Sequence, residues 1–394
     1  MPKNRPSQKK RNEAKYAGIA KTRELEEHNR AKEVADDDTL DFATKIDRLS
    51  EIRNWFYAEG PTLDKYVRGQ LSVAETVDIL AKPIDEAYST ADFGRQYFEQ
   101  ERVARIQRQY HSPEKALEEW GTEEEYPEPT EEWDPKKSTE QLLWDLWYYI
   151  LHEAKKIPFT DEAQHGRLVD LVQGFKDHPN PPPPVPMTIP LKRSWIWESD
   201  TIWTDLAVLG ISVSEVFNDT CGCGAGWLWP EQRANENLVY FMARLTANGT
   251  ANLYSKGLCC VGMLERTPSA GPRHFPKPPI VEVLSHDVTN AALWTIVAGK
   301  EVFCKYADTR DERDIQAVDR IIGLRDDDLP WNRSRRKYKG RARWETARKE
   351  FTRRRFEEES KNEELSPQVR DLATRAAEAM VPLIWLPGEG EKDE

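Results

Sequence analysis

The chain has 394 residues and a formal net charge of -12, and 38% of its residues are hydrophobic and 32% charged. This composition predicts a globular protein with a heavily charged surface, and the acidic balance argues against a general nucleic-acid binder. No stretch approaches the run of about 20 apolar residues that a membrane helix needs, and the N-terminal residues lack the apolar segment of a signal peptide. Five cysteines in a chain of this length do not make a disulfide framework. We therefore expect a reducing compartment, the cytoplasm or the nucleus.

Residues 1–37 are predicted to form a disordered basic arm, or at most a solvated helix. Lysine, arginine and scattered alanine occur there without an apolar stripe. From residue 38 onward apolar residues recur at helical spacing, which predicts a single all-helical domain over 38–394. Its first helix is expected to begin after Asp38 or Thr39 and to end at Gly60 and Pro61.

Two capping boxes and one proline predict further helix starts. Ser72 and Glu75 have the spacing of a capping box, and Ser212 and Glu215 repeat it. Pro83 is expected in the first turn of a separate helix. The acidic, proline-broken segment 122–137 predicts an exposed insertion, and the proline-rich segments 177–194 and 267–279 predict loops.

The segment Ser138–Phe175 predicts a helical hairpin at the centre of the fold. Its first arm is apolar nearly all round, and its second arm is expected to begin after Thr160 or Asp161. The hairpin is flanked by the acidic insertion and by the first proline-rich loop. No window alternates apolar and polar residues between hairpin turns, so the predicted fold class is all-α.

The cysteines are the one set of residues that could hold a metal ion. Four thiolates could converge on zinc, namely Cys221, Cys223, Cys259 and Cys260. Their pairs have one and no intervening residues, whereas zinc knuckles usually have two, and Cys259 and Cys260 fit an apolar helical pattern. We therefore expect no metal and no cofactor. No nucleophile elbow, phosphate loop or paired-histidine motif occurs, and no catalytic residue is expected.

Aromatic and basic clusters are the candidate interaction residues. Tryptophans around 195–229 could contact a partner or line a ligand pocket, namely Trp195, Trp197, Trp203 and Trp227. The basic stretch from Arg333 to Arg355 includes Arg335, Arg336 and Lys337. It could serve nuclear import or contact a polyanion, or it could be a helix whose basic face is solvated or paired with acidic residues of the protein itself.

Four segments carry a resemblance to a known family: GQLSVAETVDILAKPID, LWYYILHEAKKIPFTDEAQHGRLVDLVQGFK, WTDLAVLGISVSEVFN and ENLVYFMARLTANG. They resemble the fungal domain-of-unknown-function family three-six-three-two, mostly over residues 63–250 and more loosely beyond 284. The resemblance implies an all-helical intracellular protein without an assigned reaction. It implies no catalytic residue.

Three functions follow as hypotheses. The first is a non-enzymatic interaction module with a protein partner, because amphipathic helices and segregated charge occur without a catalytic motif. The second is an enzyme or small-ligand binder with the tryptophan-lined pocket near 195–229. The third is nucleic-acid binding by Arg333 to Arg355, which the net charge disfavours.

Overall fold

The structure is a computed structural model that describes residues 8–91, 138–183, 201–270, 276–304 and 341–384, without the side chains of 8–20 and 341–347. These ranges form twelve α-helices and contain no strand; one isolated bridge joins Cys221 and Ala225. The prediction of an all-α fold is confirmed. None of the helices in these ranges has the length and hydrophobicity that crossing a bilayer requires.

The helices follow one another along the chain as α1 Gln8–Asp36, α2 Phe42–Arg53, α3 Pro61–Val67, α4 Val73–Ser89, α5 Thr139–Lys156, α6 Glu162–Asp177, α7 Leu209–Phe217, α8 Trp229–Ala247, α9 Tyr254–Leu264, α10 Ile280–Phe303, α11 Arg341–Glu359 and α12 Pro367–Ile384. Their contacts divide into two compact units. Unit 1 comprises Met1–Phe56, Leu151–Val169 and Glu215–Glu394, and unit 2 comprises Tyr57–Ile150 and Asp170–Ser214.

Unit 1 is built around α10, which packs against α8, α9, α11 and α12. Trp294 of α10 is fully buried. Small residues bring the helices close together: a Cβ atom on Gly257 of α9 would lie 2.6 Å from Val302, and one on Gly299 would lie 2.9 Å from Leu383 of α12. Close helix contacts of this kind give a dense core.

The core of unit 2 is a group of stacked aromatic side chains. The Phe175 ring lies 5.3 Å from Trp203 and 5.8 Å from Trp147, measured between ring centroids. Both indoles are completely buried, and their N–H groups are satisfied, because Trp203 Nε1 donates to Asp85 Oδ1 and Trp147 Nε1 donates to the carbonyl of Ala207. A buried indole needs such a partner.

The predicted hairpin forms as α5 and α6 and is confirmed as part of the fold. Ser138 Oγ accepts a hydrogen bond from the amide of Gln141, and Asp161 Oδ1 accepts one from the amide of Gln164. These bonds satisfy N–H groups that have no partner within their own helix. The hairpin supplies residues to both units.

Most of the arm that the sequence predicts as disordered, or at most as a solvated helix, is the helix α1, which runs from Gln8 to Asp36. In its C-terminal part Ala31 is fully buried in a cluster with Ile46, Leu49 and Trp55. Glu27 also forms an ion pair with Arg53. The small alanine leaves no wide apolar stripe in the sequence, yet it allows α1 to lie close against α2.

Three predicted helix boundaries are wrong. The first helix ends at Arg53, not at Gly60, because Asn54 takes a left-handed conformation that asparagine tolerates. Pro83 lies inside α4, whose buried stripe continues through it. Ser212 lies within α7, which already begins at Leu209 after two residues with positive φ. The predicted box at Ser212 and Glu215 therefore caps nothing, whereas the box at Ser72 and Glu75 does form.

Candidate functional site

An apolar groove of about 750 Å³ opens in unit 1 between the first turns of α2, α8 and α12 and the loop that joins α5 to α6. We call it the Trp229 groove. Its apolar wall includes Phe42, Phe159, Trp229 and Leu372. Such a concentration of exposed apolar surface is the usual mark of a binding site on a protein surface.

Trp229 is the most unusual side chain of the groove, because 53% of its surface is exposed. One side of the indole is supported by Phe42, with ring centroids 6.0 Å apart. The Lys45 ammonium lies 5.1 Å from the ring centroid and is itself held by the carbonyl of Ala35, 2.7 Å away. The indole is therefore supported from within the protein while much of its surface remains open.

The start of α8, which presents Trp229, is fixed by a buried ion pair. Glu231 accepts hydrogen bonds from the amides of Gly226 and Leu228, both at 2.9 Å. Arg53 Nε donates to Glu231 Oε1 at 2.7 Å, and Arg53 Nη1 donates to Glu27 at 2.8 Å. Burial alone would lower the pKa of Arg53, but the two carboxylates raise it. The guanidinium thus stays charged and holds the loop before α8 in place.

The opposite wall of the groove is tied to the same helix. The amide of Phe159 donates to Asn237 Oδ1 at 2.8 Å, and Asn237 Nδ2 donates to the carbonyl of Lys155 at 2.9 Å. The Arg233 guanidinium lies 5.6 Å from the Phe159 ring centroid. One buried asparagine therefore fixes the spacing between the two aromatic walls.

Three charged side chains line the groove: Arg233, Asp371 and Arg375. Arg233 pairs with Glu236 of its own helix, and Arg375 lies 3.9 Å from Asp371. The side chains of all three are more than half exposed. Among the described residues that line the groove, the Thr160 hydroxyl and the Asp371 carboxylate are the groups that could take part in nucleophilic attack or proton transfer.

The comparison with known families identifies the chain. A model of the family described as "Protein of unknown function (DUF3632)" matches residues 147–378, more than half of the chain. The chain belongs to this family. The DUF3632 region includes Phe159, Trp229 and Arg375 of the groove, whereas Phe42 precedes it. The predicted resemblance is thus confirmed, although segment 69–85 lies outside the match. No curated protein and no solved structure matches the chain.

The tryptophans predicted as candidate site residues lie in different surroundings or outside the described residues. Trp203 is fully buried against Phe175, so its indole has no surface open to a partner. Trp195 and Trp197 lie outside the described residues. Trp227 lines a smaller cavity of about 180 Å³ in unit 1, together with Arg53. Among the described residues of 195–229, Trp227 lines this cavity, and Trp229, which was not one of the predicted tryptophans, lines the Trp229 groove.

The cysteines do not converge in the part of the chain that the structure describes. Cys221 and Cys223 lie in the loop before α8, and Cys259 and Cys260 lie in α9; none of the four belongs to a cluster of three potential metal ligands. Burial raises the pKa of the Cys221, Cys259 and Cys260 thiols. Thiols with raised pKa values are poor ligands and poor nucleophiles.

The candidate basic residues Arg335, Arg336 and Lys337 lie outside the described residues. Downstream, Arg348 is buried and bonded to Glu265. Three further arginines pair with glutamates of α11 itself, namely Arg353, Arg354 and Arg355. Four arginines of this basic segment thus pair with the protein's own glutamates, whereas Lys349 Nζ lies 3.9 Å from Cys304 Sγ.

Sequence reasoning missed Trp229, although one signal was present. Trp229 and Arg233 are four residues apart at the start of α8 and share a face, whereas the apolar residues Ala234 and Leu238, also four apart, are buried. The arginine indicates that this face is exposed. A tryptophan on an arginine-bearing face is therefore a candidate contact residue.

Proposed function

We propose that this protein is a non-enzymatic interaction module that binds a segment of a partner protein in the Trp229 groove. The observation that carries the proposal is the half-exposed indole of Trp229, supported by Phe42 and Lys45 at the wall of a 750 Å³ groove. Tryptophan and arginine dominate the residues whose truncation weakens protein interfaces most. A side chain that is already positioned loses little conformational entropy on binding.

Binding is favoured over catalysis by the chemistry of the lining. Its charged groups are solvated, and it offers two aromatic walls with arginines beside them. The cytoplasmic or nuclear location remains part of this proposal. It is supported by the five cysteines, all of which are free thiols.

The test compares partners captured by three forms of the full chain: wild type, Trp229→Ala and Val381→Ala. Val381 is a matched control because it lies on α12, is 51% exposed and does not line the groove. We expect at least one protein to be retained by wild type and by V381A but not by W229A. With that partner purified, calorimetry should show that W229A weakens binding by about 30-fold or more, the range of a strong interface residue.

Equal capture by all three forms would contradict the proposal. Because Trp229 is half exposed, W229A should keep the helical circular dichroism of wild type. The Arg233→Gln variant, which leaves the Trp229 indole in place, should also weaken the binding of the captured partner.

A small-ligand function is the second candidate, and the cavity lined by Trp227 is the observation that favours it. Polar side chains surround this cavity, namely His28, Arg53, Lys277 and Glu282. Thermal unfolding in the presence of a metabolite panel would test it. A stabilising compound whose effect persists in W229A and is lost in Trp227→Ala would favour this site over the groove.

A further inference from the structure

The rim of the Trp229 groove carries more positive than negative charge. Its charged lining residues are Arg233, Arg375 and Asp371. The chain as a whole has a net charge of -12. The lining itself thus has two positive charges and one negative charge, although Glu236, the partner of Arg233, lies next to it. An acidic group is therefore more favourable at this rim than elsewhere on the surface of a chain whose net charge is -12.

The two arginines have hydrogen-bonding capacity available for a ligand. Arg233 Nη1 donates to Glu236 Oε2 at 2.7 Å, which is the one hydrogen bond of this side chain within the described residues. Arg375 Nη1 is 3.9 Å from Asp371 Oδ2, a long and exposed pair. A guanidinium offers five N–H donors and binds a carboxylate through two of them.

The first turn of α12 adds to this attraction. Pro367 and Gln368 line the groove, and the helix is capped by the neutral hydroxyl of Ser366, whose Oγ accepts from the amide of Val369. No acidic residue lies in this first turn. The partial positive charge of the helix N-terminus is thus not neutralised there. By contrast, α2 and α8 have acidic groups at their starts, Asp41 and Glu231.

We infer that the partner segment that binds in the Trp229 groove carries an aromatic or large aliphatic side chain within a few residues of a carboxylate. The apolar side chain packs against Trp229, Phe42 and Phe159, and the carboxylate binds Arg233, Arg375 or both. This inference rests on the proposed function and names the chemistry of its partner. A second copy of the chain is a poorer occupant, because two molecules with a net charge of -12 repel each other.

Selection from a random peptide display library on the immobilised full chain tests the inference, with W229A as the counter-selection. We expect the enriched peptides to combine Trp, Phe, Leu or Met with Asp or Glu. Fluorescence polarisation then compares an enriched peptide with its Glu→Gln analogue. The acidic peptide should bind about tenfold more tightly than its Glu→Gln analogue. In about 0.5 M salt the ratio of the two dissociation constants should be smaller.

The variants Arg233→Gln and Arg375→Gln should reduce the preference for the acidic peptide, while V381A should leave it unchanged. Enrichment of neutral or basic peptides that still require Trp229 would overturn the acidic partner and leave the groove function standing. An acidic preference unaffected by R233Q and R375Q would overturn the role of the two arginines. If no enriched peptide requires Trp229 for binding, the groove is not the site for a partner peptide. The same follows if sedimentation shows that the chain forms a dimer that W229A abolishes.

Discussion

Glu265, like Glu231, has a carboxylate that is fully enclosed by the protein. The side chain of Glu265 has no exposed surface, and both of its carboxylate oxygens accept from Arg348, at 3.1 and 3.0 Å. Thr352 Oγ1 adds a third hydrogen bond at 2.6 Å. Glu265 follows α9, while Arg348 and Thr352 lie in α11, so this pair joins two segments that are distant in the sequence.

Replacing Arg348 with Met should lower the free energy of unfolding by about 3–5 kcal/mol, because the Glu265 carboxylate would remain buried with Thr352 as its one remaining donor. Urea denaturation measures the change. The double variant Arg348→Met with Glu265→Leu should lose much less, since no charge is then left without a partner.

Arg354→Met is the matched control on the same helix. Its side chain is 66% exposed and lies 3.4 Å from Glu350, so its removal should change the unfolding free energy by less than about 0.5 kcal/mol. Similar losses for R348M and R354M would show that the buried pair contributes no more than a surface pair.

At the scale of the element, two glycines of α6 have opposite surroundings. A Cβ on Gly174 would lie 2.7 Å from Val73 and 3.1 Å from Val77 in unit 2. A Cβ on Gly166 would meet only the flexible end of Arg244, at 3.5 Å. One helix therefore contains both a glycine required by packing and a glycine that packing does not require.

Gly174→Ala should destabilise the protein by about 1–3 kcal/mol, because the stiff valine side chains of α4 would have to move. Gly166→Ala should instead stabilise it by about 0.5–1 kcal/mol, the gain from replacing glycine inside a helix. Thermal unfolding of both variants measures the difference. Equal changes in melting temperature would mean that helix propensity alone sets the effect of the substitution at both positions.

The helix α1 offers a test of whether its C-terminal part belongs to the folded core. Deleting residues 1–36 removes Ala31 from the cluster of unit 1, Glu27 from Arg53 and the carbonyl of Ala35 from Lys45. We expect a lower melting temperature and weaker support of Trp229. Deleting residues 1–20 alone, which leaves Glu27, Ala31 and Ala35 in place, should lower the melting temperature less. If the longer deletion has no greater effect than the shorter one, α1 is a solvated helix.

At the scale of the whole molecule, two buried histidines should make stability depend on pH. Burial lowers the pKa of both His152 and His165 to about 4. His165 Nε2 donates to the carbonyl of Ile157, whereas its buried Nδ1 has no hydrogen-bond partner among the described residues. Between about pH 6.5 and 4 the unfolded chain binds protons that the native state excludes, so stability falls as the pH falls.

We expect His165→Gln to reduce this loss of stability between pH 6.5 and 5 by about 1.5 kcal/mol, because glutamine can still donate to Ile157 but does not titrate. Urea denaturation at both pH values measures the effect. Asp287 acts in the opposite direction, since burial raises its pKa to about 6. Asp287 is present in both proteins, so its contribution cancels when H165Q is compared with wild type. The prediction would be contradicted if H165Q and wild type lost the same unfolding free energy between pH 6.5 and 5.

Features that depend on neighbouring residues could be predicted from the sequence alone. The caps formed by Ser72, Ser138 and Asp161 follow from polar side chains that reach amides three residues away. The apolar spacing of α5 and α6 likewise predicted the hairpin. Capping and periodicity act within a few residues, so the chain shows them directly.

Which of the large side chains are buried depends on the tertiary fold and could not be read from the sequence. Trp203, Trp294 and Trp229 are the same residue type, yet the first two are fully buried and the third is half exposed. The difference depends on which distant segments cover each indole: Phe175 covers Trp203, and no segment in the described ranges closes the Trp229 groove. Burial arises from contacts between segments far apart in the sequence. Local spacing, such as that of Trp229 and Arg233, indicates at most which face of a helix is exposed and does not show which segments cover an indole.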